Sequence, residues 1–176
     1  MPELWDVYDF YRRRTGRTIH RGDPMRLDEY HLVVQVWIRN SRGEWLISRR
    51  APGKSMPLMW EPTGGSVLAG EESLEGALRE AWEELGVRFD PRRGLLFCSA
   101  RREKPSWENP GFLDVWVFSH DCEIGDIRLQ PEETCGAMWV TGADILRMIA
   151  AGTFIPMTDY AYIHDLLQAY GKEETR

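Results

Sequence analysis

Residues 64–87 read GGSVLAGEESLEGALREAWEELGV, a stretch richer in acid than its neighbours and regular in how the acid is placed. Ser73 carries a hydroxyl that can accept from a free backbone N–H and so N-cap a helix. Gly86 can close that helix in the left-handed conformation. Between them Leu74, Leu78, Ala81 and Leu85 recur at helical spacing and form one apolar stripe. Glu80, Glu83 and Glu84 are three and four residues apart and share a different face. Three carboxylates on one face repel one another, more strongly when partly buried. A hard divalent cation such as Mg²⁺ or Mn²⁺ offsets that repulsion, because it prefers oxygen ligands and completes its shell with water and substrate phosphates. Arg79 is placed to hold a carboxylate through a forked hydrogen bond. Gly76 costs about 1 kcal/mol relative to Ala inside a helix. Its position beside Glu80 and Glu83 suggests that it clears space for a metal or a phosphate.

A solvated acidic helix face is the plain alternative, and an isolated Glu-Glu pair would warrant it. The spacing here is more constrained. From Gly65 there follow five residues, Glu71, seven residues, Arg79-Glu80, Ala81, one residue, Glu83-Glu84, one residue, Gly86 and Val87. This resembles the Nudix box, G-x5-E-x7-R-E-U-x-E-E-x-G-U, where U is apolar, at every specified position. The resemblance implies an α/β (α+β) fold, an α/β/α sandwich with a mixed β-sheet. It also implies a loop–helix–loop that binds divalent cations, and hydrolysis of a diphosphate linked to another group.

The remaining composition fits one globular domain over residues 1–176, with an N-terminal extension at 1–30 and the box at 64–87. Eight tryptophans and six tyrosines make the chain aromatic-rich. A net charge of −6 argues against a non-specific grip on a nucleic acid polymer, but not against a nucleotide, since a bound metal inverts the local charge. Cys98, Cys122 and Cys135 are too widely spaced for a zinc motif and odd in number, which points to the reducing cytoplasm. The opening MPELWDVYDF lacks the pattern of a signal peptide, and no run is apolar enough to span a membrane.

Along the chain, Leu4–Tyr8 reads as a strand, with Trp5 and Val7 alternating against Asp6 and Tyr8. The basic segment RRRTGRTIHR, with a turn signal at Thr15-Gly16, reads as a solvated connection rather than a phosphate-facing loop. Residues 28–40 and 44–50 read as a hairpin about Ser41-Arg42-Gly43. Pro52-Gly53 breaks the chain. Further strands are expected at 94–101, 112–120 and 137–140, with helices at 143–151 and about 159–170 and a frayed tail over 171–176. The loop at 102–111, rich in Pro, Gly, Asn and charge, is a candidate specificity element.

Diphosphate hydrolysis requires charge neutralisation, an oriented water and a proton acceptor. Glu80 and Glu84, one helical turn apart, are the leading metal ligands, and Glu83 is a third ligand or the base. Glu71 is expected to support the box loop, as that position does in the family, together with Gly65 and Gly86. Gly64-Gly65 lets a phosphate approach the backbone. Arg50 and Lys54 are candidate diphosphate contacts, with exposed surface cations as the alternative. Glu132 and Glu133 are candidates for a distant base, with a solvated turn as the alternative. Trp60 and Trp107 are candidate base-stacking residues. His31, at the start of a strand, is polar support or a weak ligand, and Cys98 is a core residue rather than a nucleophile.

Outside the box, ELWDVYDFYRRRTGR, EYHLVVQVWI and WLISRRAPGKSMPLMWEPTGG resemble the isopentenyl-diphosphate-isomerase-like branch of the superfamily. True isomerases need a reactive cysteine ahead of the box and several histidine ligands. Here that approach reads Pro62-Thr63-Gly64-Gly65-Ser66, without the cysteine or the following histidine. The expectation is therefore a Mg²⁺- or Mn²⁺-dependent hydrolase of a nucleoside diphosphate linked to another group, acting as a monomer or homodimer. An isomerase and an inactive nucleotide-binding module are the alternatives.

Overall fold

The computed structural model describes residues 2–102, 110–155 and 161–171. In chain order its elements are β1 (Leu4–Tyr8), β2 (Arg14–His20), β3 (His31–Arg39), β4 (Trp45–Arg50), β5 (Trp60–Glu61), β6 (Thr63–Ser66), α1 (Ser73–Leu85), β7 (Leu95–Arg102), β8 (Gly111–Ser119), β9 (Thr134–Val140), α2 (Gly142–Ala150) and α3 (Ala161–Gly171). The expected 102–111 loop, including Trp107, and the start of the last helix fall largely outside the described residues, as does the tail beyond Gly171.

β3 is the central strand, and its sequence explains why. HLVVQVWIR is apolar on nearly every residue because both faces of the strand are covered. Leu32, Val34, Val36 and Ile38 face a core shared with Ala77, Ala81 and Leu85 of α1. Val33 and Trp37 face a second core shared with Ile145 of α2 and Ile163 and Leu166 of α3. The result is an α/β/α sandwich about a mixed sheet. β3 runs parallel to β8 from His31↔Gly111 to Arg39↔Ser119, and antiparallel to β4 and β6.

One irregularity makes the functional cleft. β3 and β4 pair only at Ile38↔Leu46 and Arg39↔Trp45, then part. Thr63–Ser66 takes the freed edge of β3, while Trp60–Glu61 takes that of β4. β9 lines the other edge of β4 from Trp45↔Val140 to Arg50↔Thr134. The sheet is thus a fork, and the cleft lies between its arms.

The N-terminal extension forms a two-stranded sheet, so Arg14–His20 is a strand rather than a solvated connection. Its turn is at Asp9–Arg13, where the Asp9 carboxylate accepts from the amides of Tyr11 and Arg13 at 2.9 Å each. The turn signal at Thr15-Gly16 marks a register shift instead; Thr15 donates its hydroxyl to Val7 O at 2.9 Å. Trp5, Val7 and Ile19 form a small core with Leu68 of the box loop. Leu4 O accepts from Ala69 N at 2.8 Å, and Asp6 from Gly70 N at 2.9 Å, so β1 is bonded directly to that loop.

The box helix keeps its expected stripe, with Ala81 and Leu85 buried and Leu74 and Leu78 packed at the margin. Its N-cap is Glu72 rather than Ser73, and Glu75 accepts from the Glu72 amide at 2.8 Å. Ser73 has other work: its hydroxyl donates to Asp114 and accepts from Trp116 Nε1. Gly86 ends the helix at φ 69°, as its position implied. Gly76 does not open space for a ligand. A Cβ there would lie 2.9 Å from Val67 Cγ2, so its bareness serves packing against the box loop.

Asp114, which sequence reasoning passed over as part of an apolar strand, is 1% exposed in its side chain. It accepts both terminal nitrogens of Arg12 and the hydroxyls of Ser73 and Ser99. One carboxylate therefore joins the extension, the helix start and two strands. Asp114→Ala strands the Arg12 charge and two hydroxyls, and should cost about 3–5 kcal/mol of unfolding free energy in urea titration. A loss below about 1 kcal/mol, the worth of an exposed ion pair, would contradict this account.

Candidate active site

The cleft encloses about 680 Å³ and receives side chains from both arms of the fork, from α1 and from the N-terminal sheet. Glu80 and Glu84 lie at its base, both buried. Their placement follows from the register of α1: they are one turn apart, on the flank where the helix crosses the β6 backbone. Gly65 permits the approach, since a Cβ there would sit 2.5 Å from Glu80 Oε1. Glu84 accepts the Thr63 hydroxyl and, at 3.4 Å, the Gly64 amide.

Arg79 organises the box acids. It forks onto Glu71 at 2.8 and 3.1 Å, meets Glu80 and Glu83 at 2.9 Å each, and donates to Ser66 O at 2.9 Å. Glu71 in turn accepts the Leu68 amide at 3.0 Å. Glu83 is half-exposed and turned onto Arg79, unlike its two neighbours. Among the described residues, no three His, Cys, Asp or Glu side chains already converge into a metal cage. The box oxygens are instead shared with Arg79 and Thr63.

Burial pushes the Glu80 carboxyl up to about 7, against the pull of Arg79, and the negative charges of Glu83 and Glu3 add to the rise. Burial likewise pushes Glu84 up to about 8, opposed by the Thr63 hydroxyl and reinforced by Glu80 and Glu61. Two acids that resist ionisation at the foot of an open cleft suit a divalent cation, whose charge would favour both carboxylates. The donor set, all oxygen, suits Mg²⁺ or Mn²⁺.

The wall opposite α1 comes from β4 and the loops beside it. Arg50 Nη1 donates to both oxygens of Glu61, at 2.8 and 3.0 Å, and Arg50 Nε donates to Ser55 O at 2.7 Å. Lys54 is ion-paired with Glu133. The segment bearing Glu133 is drawn in because Arg128 N and Gln130 N donate to Leu85 O and Glu84 O, the free carbonyls at the end of α1. Glu133 faces the cleft, whereas Glu132 is exposed and not part of its lining. That segment also becomes strand earlier than expected, at Thr134.

A match to the NUDIX domain family model spans residues 29–158. The chain belongs to the Nudix hydrolase family. It is 36% identical over 167 residues to an uncharacterised Nudix hydrolase of Listeria monocytogenes, covering 93% of each chain. It is 32% identical over 136 residues to a Nudix hydrolase of Deinococcus radiodurans, covering 76% of this chain and 77% of that one. The crystal structure of the Deinococcus radiodurans protein DR0079 superposes with a TM-score of 0.72 at 28% identity, covering 97% of this chain and 98% of that one. The chain is thus a pyrophosphohydrolase of the Nudix type, and its isomerase-like segments lie outside the box. Where an isomerase needs its cysteine, this Nudix protein has Thr63, committed to Glu84.

The cleft joins Arg50, Lys54, Gly65, Glu80, Glu83, Glu84 and Glu133. Arg79, Glu71 and Gly86 stand behind it as support. Trp60 does not face it: it packs into the second core beside Arg49, and its strand neighbour Glu61 faces the cleft instead. Alternation along a strand was the signal for Glu61, but two residues of strand are too short to display it. Cys98 packs at the margin of the second core, as expected, and the three thiols are free. His31 lines the cleft, stacked on Trp5 at 4.7 Å. Burial, with help from the charges of Arg102 and Arg21, holds its imidazole down at about 4, so it is neutral at pH 7.

The two sets of shifts act oppositely on stability. The lowered His31 makes folding more favourable as pH rises from about 4 to 6.5. The raised Glu80 and Glu84 hold extra protons in the folded state from their unfolded value of 4.5 up to about 7 and 8, so stability falls as pH rises through that window. Above pH 6.5 only the carboxylates act. In EDTA, the melting temperature should therefore fall between pH 6.5 and 8.5, less steeply in Glu84→Gln, and added Mg²⁺ should restore it in the unmutated protein. A melting temperature that rises over that interval in EDTA would refute the assignment.

Proposed function

We infer that this protein hydrolyses the diphosphate bond of a nucleoside diphosphate linked to a second group, with Mg²⁺ or Mn²⁺ as cofactor. The observation that carries the reading is the pair of buried carboxylates, Glu80 and Glu84, opening into a cleft whose far wall carries Arg50 and Lys54. Glu80 and Glu84 would hold the cation, with Glu83 released from Arg79 as a third ligand. The cation would neutralise phosphate oxygens and lower the pKa of the attacking water.

The protein's own groups supply the rest. Arg50 presents a fork already steadied by Glu61 and Ser55, which suits bidentate contact with a phosphate. Lys54 gives a movable point charge. Its ion pair holds the Glu133 carboxylate at the cleft, and an arriving phosphate competes for the same ammonium. Substrate binding therefore frees Glu133 to accept the proton of water. The water oxygen bonds to phosphorus, the bridging P–O bond breaks, and two phosphate monoesters leave. Glu132, turned to solvent, is the weaker candidate for that proton.

A hydrolysis screen over nucleoside di- and triphosphates, nucleotide sugars, dinucleoside polyphosphates and coenzymes, with Mg²⁺ and Mn²⁺, tests the reaction. On the best substrate, Glu133→Gln should lower kcat by roughly 10²–10⁴-fold, the range for removing a general base. Glu84→Gln should be at least as damaging while the folded circular dichroism spectrum persists. Glu132→Gln should stay within a few-fold of the parent. A greater loss in Glu132→Gln than in Glu133→Gln would reverse the assignment of the base.

A further inference from the structure

The N-terminal sheet precedes the stretch that matches the family model, which begins at residue 29. Yet Glu3, Trp5 and Arg21 form part of the cleft wall, beside His31 and the buried Arg102. Catalysis of the shared reaction needs nothing from outside the shared domain. A wall built by the extension therefore meets the part of the substrate that differs between family members, the group beyond the diphosphate.

The chemistry of that wall is specific. Arg21 Nη1 reaches the two oxygens of Glu3 at 3.2 and 3.3 Å, and Trp5 Nε1 donates to Glu3 at 3.2 Å. All three bonds are longer than the usual 2.9–3.0 Å, and an exposed ion pair of this kind is weak. Glu3 lines the same cleft as Glu80. Arg21, Arg102 and the His31 ring all line this cleft. His31 itself keeps a fixed tautomer. Nδ1 donates to Pro110 O at 3.0 Å, which leaves Nε2 as the other polar atom of the ring.

We propose that Arg21, the Trp5 indole N–H and Arg102 form a subsite for a phosphate carried by the group beyond the diphosphate, with the Glu3 carboxylate standing in for that phosphate in the free protein. The proposal rests on the reading of the cleft as a diphosphate hydrolase site. A phosphate dianion offers more acceptor oxygens and more charge than Glu3, and binds by displacing it from Arg21. The reacting diphosphate already has Arg50, Lys54 and the box. The preferred substrate class is a nucleoside diphosphate whose second group, or its linked sugar, bears an additional phosphate.

Binding separates this subsite from turnover. Calorimetry on the full chain carrying Glu84→Gln, with Mg²⁺, would use matched pairs that differ by one phosphate on the second group: ADP-ribose and ADP-ribose 1″-phosphate, and UDP-N-acetylglucosamine and its 6-phosphate. In at least one pair the phosphorylated member should bind about tenfold tighter or more, as expected for a charge-assisted bidentate contact. Adding Arg21→Ala should bring that ratio to within about twofold of unity. Adding Glu3→Gln should widen it by removing the competing anion. Arg13→Ala, in the turn of the same hairpin, stacked on Tyr11 and not part of the cleft lining, should leave the ratio unchanged. Equal binding within every pair, or a preference that survives Arg21→Ala, overturns the subsite. So does an equal loss for both members, which would assign Arg21 to the diphosphate. Failure of the hydrolase reading shows elsewhere, as absence of diphosphate-bond cleavage by the unmutated protein across the whole panel.

Discussion

Keeping two carboxylates one helical turn apart inside a folded chain is costly, and much of this architecture answers that cost. Burial removes the water that would solvate Glu80 and Glu84, and their charges oppose each other. Arg79 answers for Glu80, Thr63 and the Gly64 amide answer for Glu84, and Gly65 leaves the room that Glu80 occupies. Glu71 fixes Arg79 so that its guanidinium cannot swing away. Much of the box motif is the covalent record of that arrangement: Glu80, Glu83 and Glu84 are the acids, Glu71 and Arg79 hold them, and Gly65 lacks the side chain that would collide with one.

The same tension explains the fork in the sheet. The β3–β4 ladder does not continue toward Arg50, which lines the cleft together with Glu61 and the box acids. Parting after two register pairs instead gives each arm its own short partner strand and keeps backbone groups bonded. The price of an interrupted ladder is met by the two cores, which grip β3 from both faces through Val34 and Val36 on one side and Trp37 on the other.

Much of this was legible in the residues. The box spacing implied the helix, its closing glycine, the loop-supporting Glu71 and the sandwich. Local periodicity located β1 and the hairpin arms, because a buried strand or helix face leaves a repeat. What escaped was long-range. Asp114 lies in an apolar run, and only folding brings Arg12 to it across 102 positions of sequence. Glu132 and Glu133 are indistinguishable in composition; the carbonyls at the end of α1 decide which one is drawn inward. Ser73 looked like a cap because the cap and the first helical residue differ by one position, and its hydroxyl was taken by Asp114 and Trp116. Gly76 looked like room for a ligand, yet the space is filled by Val67, a neighbour that the motif leaves unspecified.

The anchoring of the N-terminal sheet bears on how such enzymes diversify. The strands that wall the cleft are attached to the rest of the domain through Ala69 and Gly70 of the box loop, the backbone bridge Tyr8–Tyr30, Arg14 on Glu71 and Glu72, and the Arg12–Asp114 contact. A lineage can therefore rewrite residues at the cleft end of that sheet, around Glu3 and Arg21, without disturbing the buried acids of the box. It cannot rewrite the opposite end so freely. Asp114 also holds Ser73 at the first turn of the box helix, so loss of Arg12 would leave the Asp114 carboxylate without its counter-charge beneath that helix. Selection on substrate and selection on folding thus fall on opposite ends of one small sheet.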